Sequence, residues 1–498
     1  MGPRRGQKTG ISRGSVLLGF VVFVGVIELC VISSARNQRV AAIADAGGGD
    51  ALMVEMPRGA PPPNYVDAAG GTVAPPPPGT RPVVAPPPRT GPAAARPPQP
   101  RPPASTKRKT VAYAISITGD ASGEWHGIDG AAVLGHSAVR AHRGGSRYDA
   151  ALVAFVAPSV SAAGRRRLEA VGYRVLEKAL PVEVEAIEGD YLRARIGSNG
   201  CCGAWELLKL YAWTLEEYHR VVHLDVDSLV LRNLDELFDD DPADGGAPAS
   251  AAARGYDAKL RAAAAPVPAR VEDAVYAQFT YDWNMAQRPW GANPPVQGGF
   301  FVARPSLAVY DELVAIVKKG DFRGGWGGTK AGNFYGGMTI QGLLPYYFRH
   351  VRPSFGREVR ACVYNNMASN PRDAGGFGKG ACRDGTRPDA AGQYTGSIAA
   401  GDCDDCRLTD VEDVKVVHFT ICQKPWTCHG ASTGCYYCPI CAKFHREWFL
   451  IREEFEGENG VDLGRYDGTV KDRRGMCKTT GEHGYVPIDV ASMASKMP

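Results

Sequence analysis

Asp225 and Asp227 stand one residue apart inside the apolar run Arg220-Val-Val-His-Leu-Asp-Val-Asp-Ser-Leu-Val-Leu231. An unpaired carboxylate at the end of a buried strand is costly unless a cation neutralises it, so two of them narrow what the chain can fold into. In a parallel sheet covered by helices, ligands bind outside the carboxyl ends of the strands, which is where this pair would lie. Hard oxygen ligands that leave most of a coordination sphere open suit Mn²⁺ or Mg²⁺ carrying a diphosphate. Taken alone, an Asp-x-Asp is as readily a turn cap plus a solvated acid.

The flanks change that balance. Trp205, Leu208, Tyr211, Ala212 and Leu215 recur at helical spacing after the turn Ser198-Asn199-Gly200, so Ala204–Tyr218 is expected to be a helix leading into the metal strand. Asn233–Phe238 is expected to be a short helical turn leaving it. Thr110–Thr118 is an apolar strand, Ala131–Arg140 a helix, Ala150–Ala157 a second strand and Ser161–Val171 a second helix. That alternation gives an α/β fold with a mostly parallel sheet.

The stretch Lys209-Leu-Tyr-Ala-Trp-Thr-Leu-Glu-Glu-Tyr-His-Arg-Val-Val-His-Leu-Asp-Val-Asp227 and its continuation to Phe238 are similar to the core of the glycogenin-like glycosyltransferases of family 8. Three later segments follow in the family's order: Pro295-Val-Gln-Gly-Gly-Phe-Phe-Val-Ala-Arg-Pro-Ser306, Gly336-Gly-Met-Thr-Ile-Gln-Gly-Leu-Leu344 and Val416-Val-His-Phe-Thr-Ile-Cys-Gln-Lys-Pro-Trp426. The resemblance implies a GT-A type fold with a Rossmann-like sheet, and a metal-dependent transferase that retains anomeric configuration. It would move a hexose from a nucleotide-diphosphate sugar, most naturally a UDP-sugar, to a glycan or glycoprotein acceptor. By the same resemblance Asp225, Asp227 and His418 would hold the Mn²⁺ or Mg²⁺, and Lys209 and Lys424 would face the diphosphate. Thr118 and Asp120 would contact the nucleotide, Gln297, Gly298 and Gly299 would cradle the sugar, and Gln341 would face the anomeric carbon. Two positions depart from the pattern: Ile340 stands where glycogenins carry an aspartate, and Gln297 replaces an asparagine. The first argues against glycogenin itself. On ordinary grounds His418 would be a hydrogen-bonded structural histidine and Lys209 a snorkelling surface lysine.

The rest of the 498 residues is unevenly divided. Residues 1–14 carry Arg4, Arg5, Lys8 and Arg13 ahead of an apolar run from Val16 to Ile32, which predicts a cytosolic tail and a signal anchor over 15–34. Glu28 inside that run is unusual for a membrane span. A cleaved signal peptide ending near Ser34-Ala35 is the competing expectation. Residues 35–108 read as a disordered stem, because about half of the 37 prolines fall between Pro57 and Pro103 without apolar periodicity. The catalytic domain is expected over 109–480, with a short tail over 481–498. This organisation predicts a single-pass type II protein of the Golgi membrane with a luminal enzyme, or alternatively a secreted or ER-lumen protein.

Thirteen cysteines bear on the compartment. Cys30 lies in the apolar run, and the remaining even number is consistent with disulfides in an oxidising lumen. Seven crowd into a Cys-rich part over 403–441, where the Cys-x-x-Cys spacings keep zinc as a competing expectation. A formal charge of +4 is too small to point to nucleic acid. Two other classes remain open: a non-catalytic nucleotide-sugar-binding protein, and a cysteine-rich scaffold of the secretory pathway.

Overall fold

The computed structural model describes residues 108–119, 126–239, 275–282, 295–369, 405–429, 438–466, 468 and 473–490. The expected anchor, the stem and Asp120 lie outside these residues. No helix among the described residues is long and apolar enough to cross a membrane.

A seven-stranded sheet runs in the order β3-β2-β1-β4-β7-β6-β8. Its strands are β1 (Thr110–Ile117), β2 (Asp149–Val156), β3 (Arg174–Glu177), β4 (Arg220–Leu224), β6 (Ala277–Tyr281), β7 (Val296–Ala303) and β8 (Gly356–Glu358). β1 pairs in parallel with both β2 and β4, β2 with β3, and β6 with β8, whereas β7 runs antiparallel to β4 and β6. The expected mostly parallel α/β sheet is therefore present. A second sheet joins β5 (Ser228–Val230) to β9 (Val416–His418) antiparallel.

The two-residue period of the strands separates two apolar layers. On β1, Val111, Tyr113, Ile115 and Ile117 face one layer and Ala112 and Ala114 the other; on β7, Phe300 and Val302 oppose Phe301 and Ala303. The first layer is closed by α1 (His126–Arg143) and by the long helix α5 (Pro439–Glu458). α2 (Ala162–Ala170) is started by Ser161, whose Oγ accepts from Gly164 N at 3.0 Å. The second layer holds α3 (Leu307–Lys319), α4 (Ile340–Tyr346) and the segment before β4.

That segment corrects the expected helix over Ala204–Tyr218: Gly203–Thr214 is a 3₁₀ helix. The buried residues explain why. Ala204, Leu207, Leu210 and Trp213 recur every third residue and all enter the second layer, a period that matches three residues per turn. Of the residues with α-helical spacing, Ala212 and Leu215 enter the same layer, whereas Trp205 and Tyr211 are only half-buried. A second correction concerns the apolar run itself. It is two strands with Asp225–Asp227 in the turn between them, where Ser228 N donates to Asp225 O at 3.0 Å.

Disulfides Cys362–Cys406, Cys422–Cys441 and Cys428–Cys477 span 44, 19 and 49 residues, and Cys438 is disulfide-bonded as well. Cys406 and Cys441 each belonged to a candidate zinc spacing, so the zinc expectation fails for them. Loops of this size correspond to about 3–4 kcal/mol of chain-entropy stabilisation each.

Candidate active site

Four strand ends assemble the site. Asp225 follows β4, and its backbone N donates to Gly299 O on β7 at 3.1 Å. Pairing of Ser228 with His418 in the small sheet, reinforced by Phe419 N donating to Asp227 O at 2.8 Å, sets His418 beside Asp227. The ligand atoms of Asp225, Asp227 and His418 all lie within 4.8 Å of one another. His418 Nε2 is 3.3 Å from Asp227 Oδ1 and 4.0 Å from Asp225 Oδ2. Thr118 sits just past the end of β1, the parallel neighbour of β4, with its carbonyl accepting from Ser159 Oγ at 2.9 Å.

Each acid has its own ammonium. Lys209 is 4% exposed, and its Nζ meets Asp225 Oδ1 at 2.8 Å, Glu206 Oε2 at 2.8 Å and Gly298 O at 3.1 Å. Those three contacts use all three ammonium protons. Burial alone would lower the Lys209 ammonium, but Asp225 and Glu206 outweigh it and raise it well above the ordinary range. Lys424 Nζ donates to Asp227 Oδ2. Burial raises the Asp227 carboxyl less than Lys424 and His418 lower it, so it stays ionised far into acid. Asp225 is raised, first by burial and then by Glu206 and Asp227, against the pull of Lys209.

Asn365 and Glu206 contribute to the site although the sequence did not single them out. Asn365 Oδ1 lies 3.2 Å from His418 Nδ1, while its Nδ2 donates to Thr280 Oγ1 at 2.9 Å. With the Nδ1 proton directed at Asn365, Nε2 faces two carboxylates, an arrangement that a cation shared between them satisfies. Counting charges, Asp225, Asp227 and Glu206 face Lys209 and Lys424, which leaves room for positive charge. The donor set of two carboxylates and one imidazole therefore fits a divalent ion.

The floor is β7. A Cβ on Gly299 would meet His418 Cε1 at 2.3 Å and Asp225 Oδ2 at 2.8 Å, so only glycine lets the strand approach this closely. Gln297 is buried and its Oε1 accepts from Gly299 N at 2.5 Å. Half-buried Gln341 lies over Gly298, its Cγ 3.3 Å from where a Cβ of that glycine would be. Ile340 beside it is fully buried in the second layer. The structure thus brings together every sequence-derived site residue that it describes except Thr118, which stands at the neighbouring strand end.

No protein-family model matches the chain. Human glycogenin-2 is 40% identical over 111 residues, 22% of this chain and 20% of the relative; human glycogenin-1 is 28% identical over 197 residues, 39% and 41%. The chain is glycogenin-like. These identities are those of a distant relative and not of a glycogenin itself. The Arabidopsis thaliana protein PGSIP7, a glucuronosyltransferase by name, is 49% identical over 57 residues, 11% of each chain. The glycogenin-like chain spans less than half the length of each of these curated relatives. Among solved structures, apo mouse xyloside xylosyltransferase 1 aligns with a TM-score of 0.36 at 12% identity, covering 62% of this chain and 97% of that one. An active-site mutant of LgtC aligns with a TM-score of 0.35 at 13% identity, covering 69% and 95%.

Proposed function

We propose that this glycogenin-like chain is a metal-dependent, retaining hexosyltransferase that takes its sugar from a nucleotide diphosphate, with UDP-sugars first in line, and passes it to a glycan or glycoprotein. One observation carries the reading: Asp225, Asp227 and His418 converge within 4.8 Å in a site that already holds two lysines. A divalent ion bound there, Mn²⁺ or Mg²⁺, supplies Lewis-acid charge to the leaving diphosphate. The chain's own residues do the remainder. Lys424, partly exposed, exchanges Asp227 for a phosphate oxygen when the donor arrives. Lys209 stays with Glu206 and Asp225 and acts on the phosphates by holding Asp225 in place, since its three protons are already committed. Gln341, its Cγ over Gly298, offers its amide to the sugar, where it stabilises charge without taking a proton.

Ile340 supports a second reading, a non-catalytic nucleotide-sugar binder, because an apolar side chain fills the position where the resemblance expects an acid. One experiment separates the two. Purified chain is incubated with UDP-glucose, UDP-glucuronic acid, UDP-galactose and UDP-xylose, with Mn²⁺ or with excess chelator. The transferase reading expects metal-dependent release of UDP from at least one donor. UDP binding without hydrolysis or transfer of any donor favours the binder. For location, we propose the Golgi lumen behind a single-pass anchor; the support is the apolar run Val16 to Ile32 together with the disulfides.

A further inference from the structure

Cys201 and Cys202 lie at the start of the 3₁₀ segment, and their sulfurs are 3.2 Å apart. Cys201 is exposed and Cys202 half-exposed, so both are open to small reagents. They are wired to the site in two directions. Cys201 Sγ donates to Glu206 Oε1 at 3.4 Å, and the other oxygen of Glu206 holds Lys209 at 2.8 Å. The turn before them is fastened to the Gln341 segment: Tyr335 Oη donates to Gly200 O at 2.9 Å and Met338 N donates to Asn199 Oδ1 at 2.9 Å. A Cβ on Gly200 would lie 3.2 Å from Gly336 Cα, and one on Gly336 would lie 2.8 Å from Gln341 Oε1. The pair therefore bridges the two elements that carry Lys209 and Gln341.

We propose that Cys201 and Cys202 form a reversible intrachain disulfide that shifts the Glu206–Lys209 arm and so tunes the site. The oxidant is a low-molecular-weight disulfide of the glutathione type. One cysteine sulfur attacks it, making a mixed disulfide and releasing one thiol; the neighbouring sulfur then displaces the second. Two protein thiols are oxidised, one small disulfide is reduced to two thiols, and the two protons leave on them. Closing the bond brings the sulfurs to about 2.05 Å and removes the Cys201 proton that Glu206 accepts. Adjacent Cα atoms are about 3.8 Å apart across a trans peptide, closer than disulfides normally bridge, so the bond is readily reduced again. The same two sulfurs and the Glu206 carboxylate also form a trio within 4.8 Å that a soft metal could occupy, which the test must separate.

The effect on donor binding rests on the proposed function; the cross-link and its reach do not. The full chain, disulfides intact, is equilibrated in reduced and oxidised glutathione buffers, and the thiols are alkylated and mapped by mass. The expected result is a peptide that passes from two alkyl groups to a two-hydrogen loss at Cys201-Cys202. Hydrogen exchange should change in Gly203–Thr214 and around Tyr335–Gln341. Binding of UDP with Mn²⁺ should weaken about 10-fold on oxidation, the scale of a disturbed supporting contact, and Cys202→Ser should bind as the reduced protein does in both buffers. Glutathione retained on a single sulfur, a cross-link with unchanged exchange in both segments, or bound zinc that blocks alkylation would each overturn the proposal. A reduced protein that does not bind UDP would count against the proposed function alone, because mass and exchange still decide the cross-link.

Discussion

The amide oxygen of Asn365 lies 3.2 Å from Nδ1 of His418, and this contact fixes the orientation of a buried imidazole. It commits the Nδ1 proton and aims Nε2 at Asp225 and Asp227. Asn365 is itself held, by Thr280 and by the Cys362–Cys406 disulfide three residues upstream, and Lys424 lies between the half-cystines Cys422 and Cys428. The disulfides thus immobilise the two loops that complete the site.

Replacing Asn365 should test that chain of support. Asn365→Ala leaves every proposed ligand present but lets the imidazole rotate and change tautomer. Mn²⁺ affinity is expected to fall about 10- to 100-fold, the range measured for lost outer-shell partners, with UDP affinity at saturating Mn²⁺ nearly restored. Titration calorimetry at several metal concentrations reads both numbers. Unchanged Mn²⁺ affinity would mean that Asn365 only packs.

The two aspartates should behave differently when neutralised. Both Asp225→Asn and Asp227→Asn are expected to abolish metal-dependent turnover. Burial, and then Glu206 and Asp227, raise Asp225 against the pull of Lys209, which keeps Glu206 as a partner, so an amide there should cost little stability. Asp227 is depressed by Lys424 and His418 despite its burial. Its stabilisation is present above the unfolded carboxylate pKa and lost as pH falls through the folded one, so Asp227→Asn should cost about 1–3 kcal/mol at neutral pH through the cation it strands. Denaturation curves of the two variants at pH 7 check the contrast. Equal stabilities would show that the Lys424 pairing contributes nothing.

β1 and β2 were legible in the sequence as apolar runs and fall within a residue of where those runs put them, whereas the run from Arg220 to Leu231 is split by its turn into β4 and β5. The grouping of His418 with Asp225 and Asp227 was legible only through resemblance, since no local pattern relates His418 to a turn nearly two hundred residues earlier. What the sequence hid were effects of close approach. The three-residue burial period of Ala204, Leu207, Leu210 and Trp213 coexists with an α-like spacing in the same run, and tertiary packing selected the former. Glu206 became visible only when that 3₁₀ winding stacked it over Lys209. The need for Gly299 appears only once His418 and Asp225 are seen to sit against it.

At the sugar side, Gln341→Ala removes the side chain whose Cγ lies over Gly298. Turnover is expected to fall about 10- to 1,000-fold, the range for one lost transition-state contact, while UDP affinity changes little. The companion Ile340→Asp should not restore an acid to the site. Ile340 is fully buried, so the new carboxyl would enter the apolar layer, with a stability loss of at least about 2 kcal/mol. Single-turnover transfer with the best donor of the hydrolysis panel, alongside thermal melts, reads both variants. Wild-type rates in Gln341→Ala would remove that residue from the chemistry. A stable Ile340→Asp variant that gained tyrosine-linked sugar would show that the position faces the acceptor.

A pH-dependent element lies away from the site, at the start of α1. Asp129 is fully buried, and its Oδ2 accepts from Tyr485 Oη and Ile488 N, each at 2.9 Å, fastening the last described segment of the chain to the helix. Burial pushes its carboxyl up to about 6 from an ordinary 3.8, against the pull of the Arg452 guanidinium and of those two donors. Oδ1 meets no partner among the described residues. A folded state that holds a proton the unfolded chain releases is favoured in acid. This contribution is therefore fully present below about pH 4 and is lost as pH rises through about 6, on the order of 3 kcal/mol at 1.36 kcal/mol per pKa unit. Asp129→Asn keeps an acceptor for Tyr485 and Ile488 without the titration. Under non-reducing conditions the stability of the variant relative to wild type should rise between pH 4.5 and pH 7.5, read by denaturant unfolding at each pH. Parallel profiles for the two proteins would mean that Asp129 ionises without cost and that Arg452 compensates it in full.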